Sequence, residues 1–183
     1  MAARFEELSE KLISFIDQQH LYFVATAAAE GRINLSPKGG DTMKVLSPTQ
    51  LLWLNFTGSG NETAAHLLQS NRMTVMFCSF TEQPMILRCY GTARAIHPRD
   101  DEWGEYLSML PGHPSARQLL LMDIEMVQTS CGFGVPFYEF QGERDNMDKW
   151  IANKGEEGIR DYWVEKNQVS LDGLPTGILE DVT

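Results

Sequence analysis

The spacing of hydrophobic residues along this 183-residue chain changes several times, and each change predicts a different kind of element. Near the N-terminus, Phe5, Leu8 and Leu12 recur at steps of three and four, which is typical of an amphipathic helix. Later apolar runs are short, rich in aromatic and β-branched residues, and separated by Gly, Pro, Asn and Asp, which favours strands. The pattern predicts helices over 5–18, 61–70, 98–109, 144–154 and 156–167, and strands over 21–28, 32–35, 43–46, 51–56, 73–80, 85–96 and 119–127.

One face of the strand predicted over 85–96 consists of small and apolar residues. Leu87, Cys89, Gly91 and Ala93 alternate with polar or larger residues, so they share one face of the strand. Small side chains on an inner face allow the close packing found inside a small barrel. Because about six or seven strands have mostly short connections with helices inserted between them, the pattern predicts a mainly β, α+β fold. We expect a small antiparallel barrel with helical decoration.

The composition limits the possible domain organisation of the chain and the cellular compartment in which it is expected. No linker, internal repeat or low-complexity tract divides the chain, so we expect residues 1–183 to form a single domain with residues 131–183 as a helical C-terminal extension. No apolar run approaches the roughly 20 residues needed to span a bilayer, and a secretory signal is not apparent. The three cysteines lack the spacing of a zinc site and cannot make a disulfide framework. A cytoplasmic protein without membrane contact is the simplest expectation.

The net charge of −10 is placed unevenly. Residues 1–97 carry 8 basic and 8 acidic side chains, whereas residues 98–183 carry 7 basic and 17 acidic ones. This acidic excess argues against a nucleic-acid partner. A small anionic ligand would bind in the neutral half, where a few cations are enough to make a pocket positive.

The most informative stretch lies where the strand over 51–56 enters a Gly-rich turn and a helix begins. It comprises Thr57, Gly58, Ser59, Gly60, Asn61, Glu62 and Thr63. A strand, turn and helix start present several backbone N–H groups at one point, and the helix dipole behind them favours an anion such as a phosphate. Ser59 and Glu62 also have the spacing of a capping box, with Ser59 as N-cap. The local pattern therefore leaves two interpretations open: an anion site, or a well-capped helix without a ligand.

Three cations in the neutral half are candidates to accompany this turn. Lys38 follows Ser-Pro and precedes Gly-Gly, so it sits on a backbone held open for a ligand. Lys44 and Arg88 lie on predicted strands. Exposed lysines on turns and solvent-facing cations on strands are common, and that interpretation applies to all three.

Other reactive side chains give weaker signals. His66 lies on the helix after the turn and could face either the core or a ligand. Cys131 lies on a Gly-rich turn after a strand, where a thiol could be redox-active but where packing as a small apolar residue is the commoner role. No Walker A, dinucleotide-binding, nucleophile-elbow or zinc-protease motif is present.

The order of these pieces resembles the pyridoxamine 5′-phosphate oxidase-like, flavin-binding split β-barrel family. The resemblance covers roughly residues 8–130. The stretches that carry it are Tyr22–Thr26, Asn34–Gly39, Gly58–Leu67, Met73–Phe80 and Leu87–Ala93. The segment 131–183 looks like one uncharacterised branch of the family. The pyridoxal-phosphate signature of the biosynthetic oxidase is not evident there, so vitamin B6 oxidation is not predicted.

The resemblance implies a six-stranded antiparallel Greek-key split β-barrel that forms a homodimer, with one FMN in each of two clefts at the subunit interface. It implies that the turn from Thr57 to Thr63 binds the FMN phosphate, with Lys38 and Lys44 as the nearest strand cations and Arg88 further away. The expected function is that of an FMN-dependent oxidoreductase acting on a small-molecule substrate, with the flavin carrying the electrons.

One departure from the family bears on this expectation. The oxidases carry a basic Ser-Arg-Lys triplet about where this chain has Asn61, Glu62 and Thr63. A carboxylate beside a phosphate repels it by about 1 kcal/mol in a partly exposed site. Either Glu62 turns back to the Ser59 N–H, or backbone and hydroxyl donors hold the phosphate alone. Three further functions stay open at this point: a flavin or haem carrier, an F420-using reductase, and a dimeric barrel without a cofactor.

Overall fold

The structure is a computed structural model that describes residues 2–179. Strands and helices alternate in an order close to the predicted one. The strands are β1 (Ala3–Phe5), β2 (Tyr22–Thr26), β3 (Asn34–Lys38), β4 (Met43–Ser47), β5 (Gln50–Phe56), β6 (Arg72–Cys78), β7 (Ile86–Ile96) and β8 (Ala116–Ser130). The helices are α1 (Glu10–Asp17), α2 (Glu62–Gln69), α3 (Trp103–Leu107) and α4 (Asn146–Lys166).

The strands form one antiparallel sheet in the order β3-β2-β6-β7-β8-β5-β4, with β1 also paired to β8. This confirms the predicted fold class, an α+β split barrel with helical decoration. The six strands that the resemblance implies, and the six or seven that the pattern predicts, are too few, because the sheet has eight within the described residues. One additional strand is β1, where the hydrophobic spacing predicts a helix: residues 3–5 pair with residues 127–129 of β8. The helix begins at Glu10.

The pairing of β7 with β8 forms the centre of the sheet and explains the small residues of β7. Leu87, Cys89 and Ala93 are buried in the main core, as the alternation predicts. The register shifts by one residue between Tyr90 and Gly91. A Cβ on Gly91 would lie 1.9 Å from a backbone oxygen of β8, so only glycine fits there.

One helix prediction needs correction, and the prediction of two C-terminal helices is confirmed, with the first beginning at Asn146. The helix predicted over 98–109 is restricted to Trp103–Leu107, since the polar residues before it form turns instead. The two helices predicted over 144–154 and 156–167 are the two arms of α4, which breaks at Gly155, a residue with φ of 65°. Within residues 2–179, no helix has the length and apolar character needed to cross a membrane.

A β-bulge near the start of β8 creates the local geometry of the site. Asn55 of β5 pairs with Gln118, but Phe56 pairs with Ala116, so Arg117 has no partner on β5. A bulge of this kind bends the strand and redirects the unpaired side chain. Arg117 is therefore directed away from the regular ladder, toward the turn that follows β5.

Candidate functional site

A cleft of about 380 Å³ opens between β3, the end of β5 and the turn before α2. Its size is at the lower end of the range for small-molecule sites. It is lined by Asn34, Ser36, Pro37, Lys38, Asn55, Phe56, Gly58, Ser59, Gly60, Asn61, Glu62, Thr63 and Arg117. The cleft thus contains one predicted cation and six of the seven predicted turn residues.

Thr57, the remaining turn residue, lies behind the cleft and supports its wall. It is fully buried. Its hydroxyl donates to the carbonyl oxygen of Ser115 at 3.1 Å and accepts from the indole N–H of Trp163 at 2.9 Å. Thr57 therefore positions the turn and is not among the residues that line the cleft.

The capping box predicted for α2 is wrong. The N-cap is Asn61, not Ser59, and no side chain in the part of the chain that the structure describes caps the helix. In the predicted box, the Glu62 carboxylate accepts the Ser59 N–H. In the structure it accepts the backbone N–H of Leu171, in the C-terminal extension, at 3.0 Å. The first N–H groups of α2 are consequently not occupied by a cap, as an anion site requires.

Lys38 reaches the cleft from the end of β3. Its Nζ atom lies 4.8 Å from the ring centroid of the buried Trp53, in a cation–π contact. Burial, together with the like charge of Arg117, lowers the pKa of Lys38 to about 8. An anion between the two cations would relieve this repulsion.

The structure places Lys44 and Arg88 elsewhere. Lys44 donates from Nζ to the carbonyl oxygen of Met109 at 3.0 Å, and Arg88 donates to the Ser130 hydroxyl at 3.3 Å. Neither residue lines the cleft. Lys44 is a candidate as one of the cations nearest the matching strands and Arg88 as a cation further away, and the cleft that contains Lys38 includes neither. Their role in cofactor binding stays a prediction that this cleft does not support.

Arg117 is a cation of the cleft that sequence reasoning missed. Only 2% of its surface is exposed. One of its terminal nitrogens, Nη1, donates to the carbonyl oxygens of Gly58 and Gly60 and to the side-chain oxygen of Asn167 at 2.8 Å. Burial lowers the pKa of Arg117 to about 10. Among the described residues it forms no ion pair with a carboxylate.

The C-terminal extension shapes the site, a point on which the sequence was silent. Asn167, at the end of α4, is completely buried. Its amide donates to the carbonyl oxygen of Gly58, and its own backbone carbonyl accepts from the side chains of Asn61 and Thr176. Together with its contact to Arg117, these bonds connect the extension to both the turn and the buried cation.

A second set of polar side chains in the cleft lies along β3 and at the start of α2. The Asn34 amide donates to the Thr63 hydroxyl at 3.2 Å, and the Ser36 hydroxyl donates to the Asn34 side-chain oxygen at 2.9 Å. These bonds connect the edge strand to the first turn of α2. They leave the cleft with hydroxyl and amide groups in addition to its two cations.

The remaining candidates from the sequence lie outside the cleft. His66 faces the interior, 1% exposed, with Nδ1 3.1 Å from the Thr26 hydroxyl. Cys131 is an exposed free thiol. No group of His, Cys, Asp and Glu suited to a metal ion occurs in the described part of the chain.

Comparison with known proteins identifies the family. The family model described as "Pyridoxamine 5'-phosphate oxidase" matches residues 8–131. A curated relative, the pyridoxamine 5'-phosphate oxidase family protein ustO of Aspergillus flavus, is 36% identical over 191 residues, which cover 93% of this chain and 76% of the relative. The chain therefore belongs to the pyridoxamine 5'-phosphate oxidase family, and the predicted membership is confirmed.

Solved structures agree with this fold. A candidate pyridoxamine 5'-phosphate oxidase from Lactobacillus delbrueckii is similar with a TM-score of 0.55 and 23% identity, covering 67% of this chain and 94% of that one. An FAD-binding protein from Mesorhizobium loti is similar with a TM-score of 0.50 and 13% identity, covering 70% and 97%. At these identities the likeness concerns the fold alone.

Proposed function

We propose that the cleft binds FMN through its phosphate and that the protein is an FMN-dependent oxidoreductase acting on a small molecule. The observation that carries this proposal is the buried guanidinium of Arg117 beside Lys38, since neither cation forms an ion pair with a carboxylate among the described residues. Buried cations are costly unless they are paired, and a bound phosphate would pair both.

The remaining walls of the cleft fit the same ligand. The N-terminus of α2 supplies uncapped backbone N–H groups, and Gly58 and Gly60 allow a ligand to approach the backbone closely. Asn34 and Ser36 supply polar groups of the kind that bind hydroxyls. Membership of the pyridoxamine 5'-phosphate oxidase family also favours a flavin, because resemblance to that family implies FMN as the cofactor.

When bound, FMN would supply the hydride or electron transfer. The residues described above would hold and orient it, with Lys38 and Arg117 at the charged end. No side chain in the described part of the cleft is assigned as a general acid or base.

The proposal includes a homodimer whose partner subunit covers the cleft. β3 is an edge strand of the sheet. Its Leu35 is 64% exposed and the preceding Ile33 is 78% exposed, next to Asn34 and Ser36 of the cleft. Exposed apolar side chains on an unpaired edge favour an interface at this position. Sedimentation analysis of the full chain tests this: a dimer is expected, and a monomer at micromolar concentration would contradict it.

Two measurements test the cofactor and the activity in turn. The full chain is first titrated with FMN while its melting temperature is followed, and a rise that saturates is expected because FMN binds the folded state. Absence of any shift, together with a colourless protein, would favour a barrel without a cofactor. NADH or NADPH is then added to the FMN-loaded protein with an electron acceptor. Turnover identifies an oxidoreductase, whereas bound but unreactive flavin identifies a carrier.

A further inference from the structure

We infer that Arg117 is the principal phosphate ligand of this cleft and that the C-terminal extension holds it in place through Asn167. The inference rests on the proposed function for the identity of the ligand, a phosphate monoester. It assigns phosphate binding to Arg117, a residue of β8. It assigns the positioning of Arg117 to Asn167, which lies outside the part of the chain that matches the family model.

The guanidinium of Arg117 is anchored along one side only. Its three hydrogen bonds to residues 2–179 all come from Nη1, to the carbonyl oxygens of Gly58 and Gly60 and to Asn167 Oδ1. These acceptors are fixed by the turn and by the end of α4, so they hold the plane of the guanidinium in a defined orientation. The anchoring contacts contribute no full negative charge.

The opposite side of the guanidinium has no hydrogen-bond partner among the described residues. Nε is buried and without a hydrogen bond, and no bond from Nη2 is found among residues 2–179. The N–H groups of Nε and Nη2 are parallel and form the fork that binds two oxygens of a phosphate or carboxylate. A buried donor without a partner costs about 1–3 kcal/mol, so its persistence at a cleft points to an acceptor supplied by a ligand.

The charges that surround Arg117 favour a doubly charged ligand. Lys38 is its cationic neighbour in the cleft, and the pKa of Lys38 is lowered by burial and by the like charge of Arg117. Glu62 is the acidic residue of the lining, and its carboxylate already accepts the N–H of Leu171. Two cations and one engaged carboxylate leave the cleft net positive, as a phosphate monoester requires.

This arrangement also accounts for the missing basic triplet. Where the oxidases carry basic side chains on the turn, this chain carries Asn61, Glu62 and Thr63. The cation instead enters from the bulge in β8, and the extension supplies Asn167 to hold it. The phosphate site would then depend on residues on both sides of the boundary of the family-matching region.

The test compares the affinities of FMN and riboflavin, which differ only in the phosphate, for three full-length proteins: the unchanged chain, Arg117→Lys and Arg72→Lys. Arg72 is an exposed arginine of β6 and serves as the matched control. Arg117→Lys keeps the charge and removes the fork. We expect it to weaken FMN binding by about tenfold or more while riboflavin changes less than about twofold, since charge-assisted fork contacts are of this strength. Arg72→Lys should leave both affinities unchanged.

The outcomes separate this inference from the proposed function. If the unchanged chain binds FMN more tightly than riboflavin and Arg117→Lys keeps that preference, Arg117 is not the phosphate ligand although the function stands. If the unchanged chain binds neither flavin, the proposed function fails. Should Arg117→Lys not fold, a crystal structure of the unchanged chain with FMN decides the matter. The phosphate is expected within hydrogen-bond distance of Nε and Nη2, and a phosphate bound elsewhere overturns the inference.

Discussion

The lowered pKa of Lys38 predicts a specific pH dependence for FMN binding. Burial and the nearby Arg117 hold the pKa of Lys38 at about 8 in the free protein. The second pKa of a phosphate monoester is about 6, so the phosphate stays a dianion while Lys38 loses its proton. Arg117, with a pKa of about 10, remains mostly charged at pH 9. Raising the pH from 7 to 9 therefore removes mainly the charge of Lys38 and leaves most of the charge of Arg117.

The direction and size of the effect follow from proton linkage. A phosphate beside Lys38 favours its charged form, so the pKa of Lys38 rises on binding and the complex takes up a proton above pH 8. FMN affinity must then fall as the pH rises through 8. If Lys38 stays charged in the complex, FMN affinity follows the fraction of free protein in which Lys38 is charged. With a pKa of about 8 this fraction falls from about nine-tenths at pH 7 to about one-tenth at pH 9, so affinity should fall by about tenfold.

Isothermal titration at pH 7, 8 and 9 measures this effect, with riboflavin titrated in parallel to remove any contribution from the flavin ring. The ratio of FMN to riboflavin affinity is the quantity to follow. Lys38→Gln should bind FMN more weakly at pH 7 and show an almost flat ratio. Lys44→Gln, which changes a lysine outside the cleft, should keep the dependence of the unchanged chain. A flat ratio in the unchanged chain, or an undiminished slope in Lys38→Gln, would refute the reasoning.

Three further substitutions have defined outcomes. Asn167→Ala removes buried hydrogen bonds to the turn and to Arg117 and should lower the free energy of unfolding by about 2 kcal/mol; denaturation that matches the unchanged chain would show that these bonds contribute little. Glu62→Gln removes the acidic charge of the cleft and should tighten FMN binding by about fivefold, worth about 1 kcal/mol; unchanged affinity at low salt would contradict this. Gly91→Ala should lower the melting temperature strongly or leave the protein insoluble, because its Cβ would overlap the backbone of β8, whereas Gly104→Ala, where nothing lies within 4 Å of the new Cβ, should cost far less.

Much of the fold could be predicted from local pattern. The alternation on β7 identifies its buried face, and the break at Gly155 in α4 falls between the two predicted helices. The error at β1 has a physical cause: Phe5 continues the helical spacing of Leu8 and Leu12, but residues 3–5 gain more by pairing with β8. Three residues carry too little pattern to distinguish a strand from a helix start.

The site could be predicted only in part, because some of its residues are contiguous in the sequence and others come together only in the folded chain. The turn from Gly58 to Thr63 is contiguous and has its own signature, so its place in the cleft could be anticipated. Arg117 depends on a bulge between β5 and β8, and a register shift leaves no mark on a single strand. Asn167 lies about a hundred residues from the turn it supports. Only the fold brings these groups together.

Purification of the full chain under native conditions, followed by mass spectrometry of the small molecule released on denaturation, tests the central claim most directly. The arrangement of Lys38, Arg117 and the turn before α2 predicts FMN at about one molecule per chain. Recovery of haem or a deazaflavin, or a protein that emerges empty and fails to take up added FMN, would contradict the account.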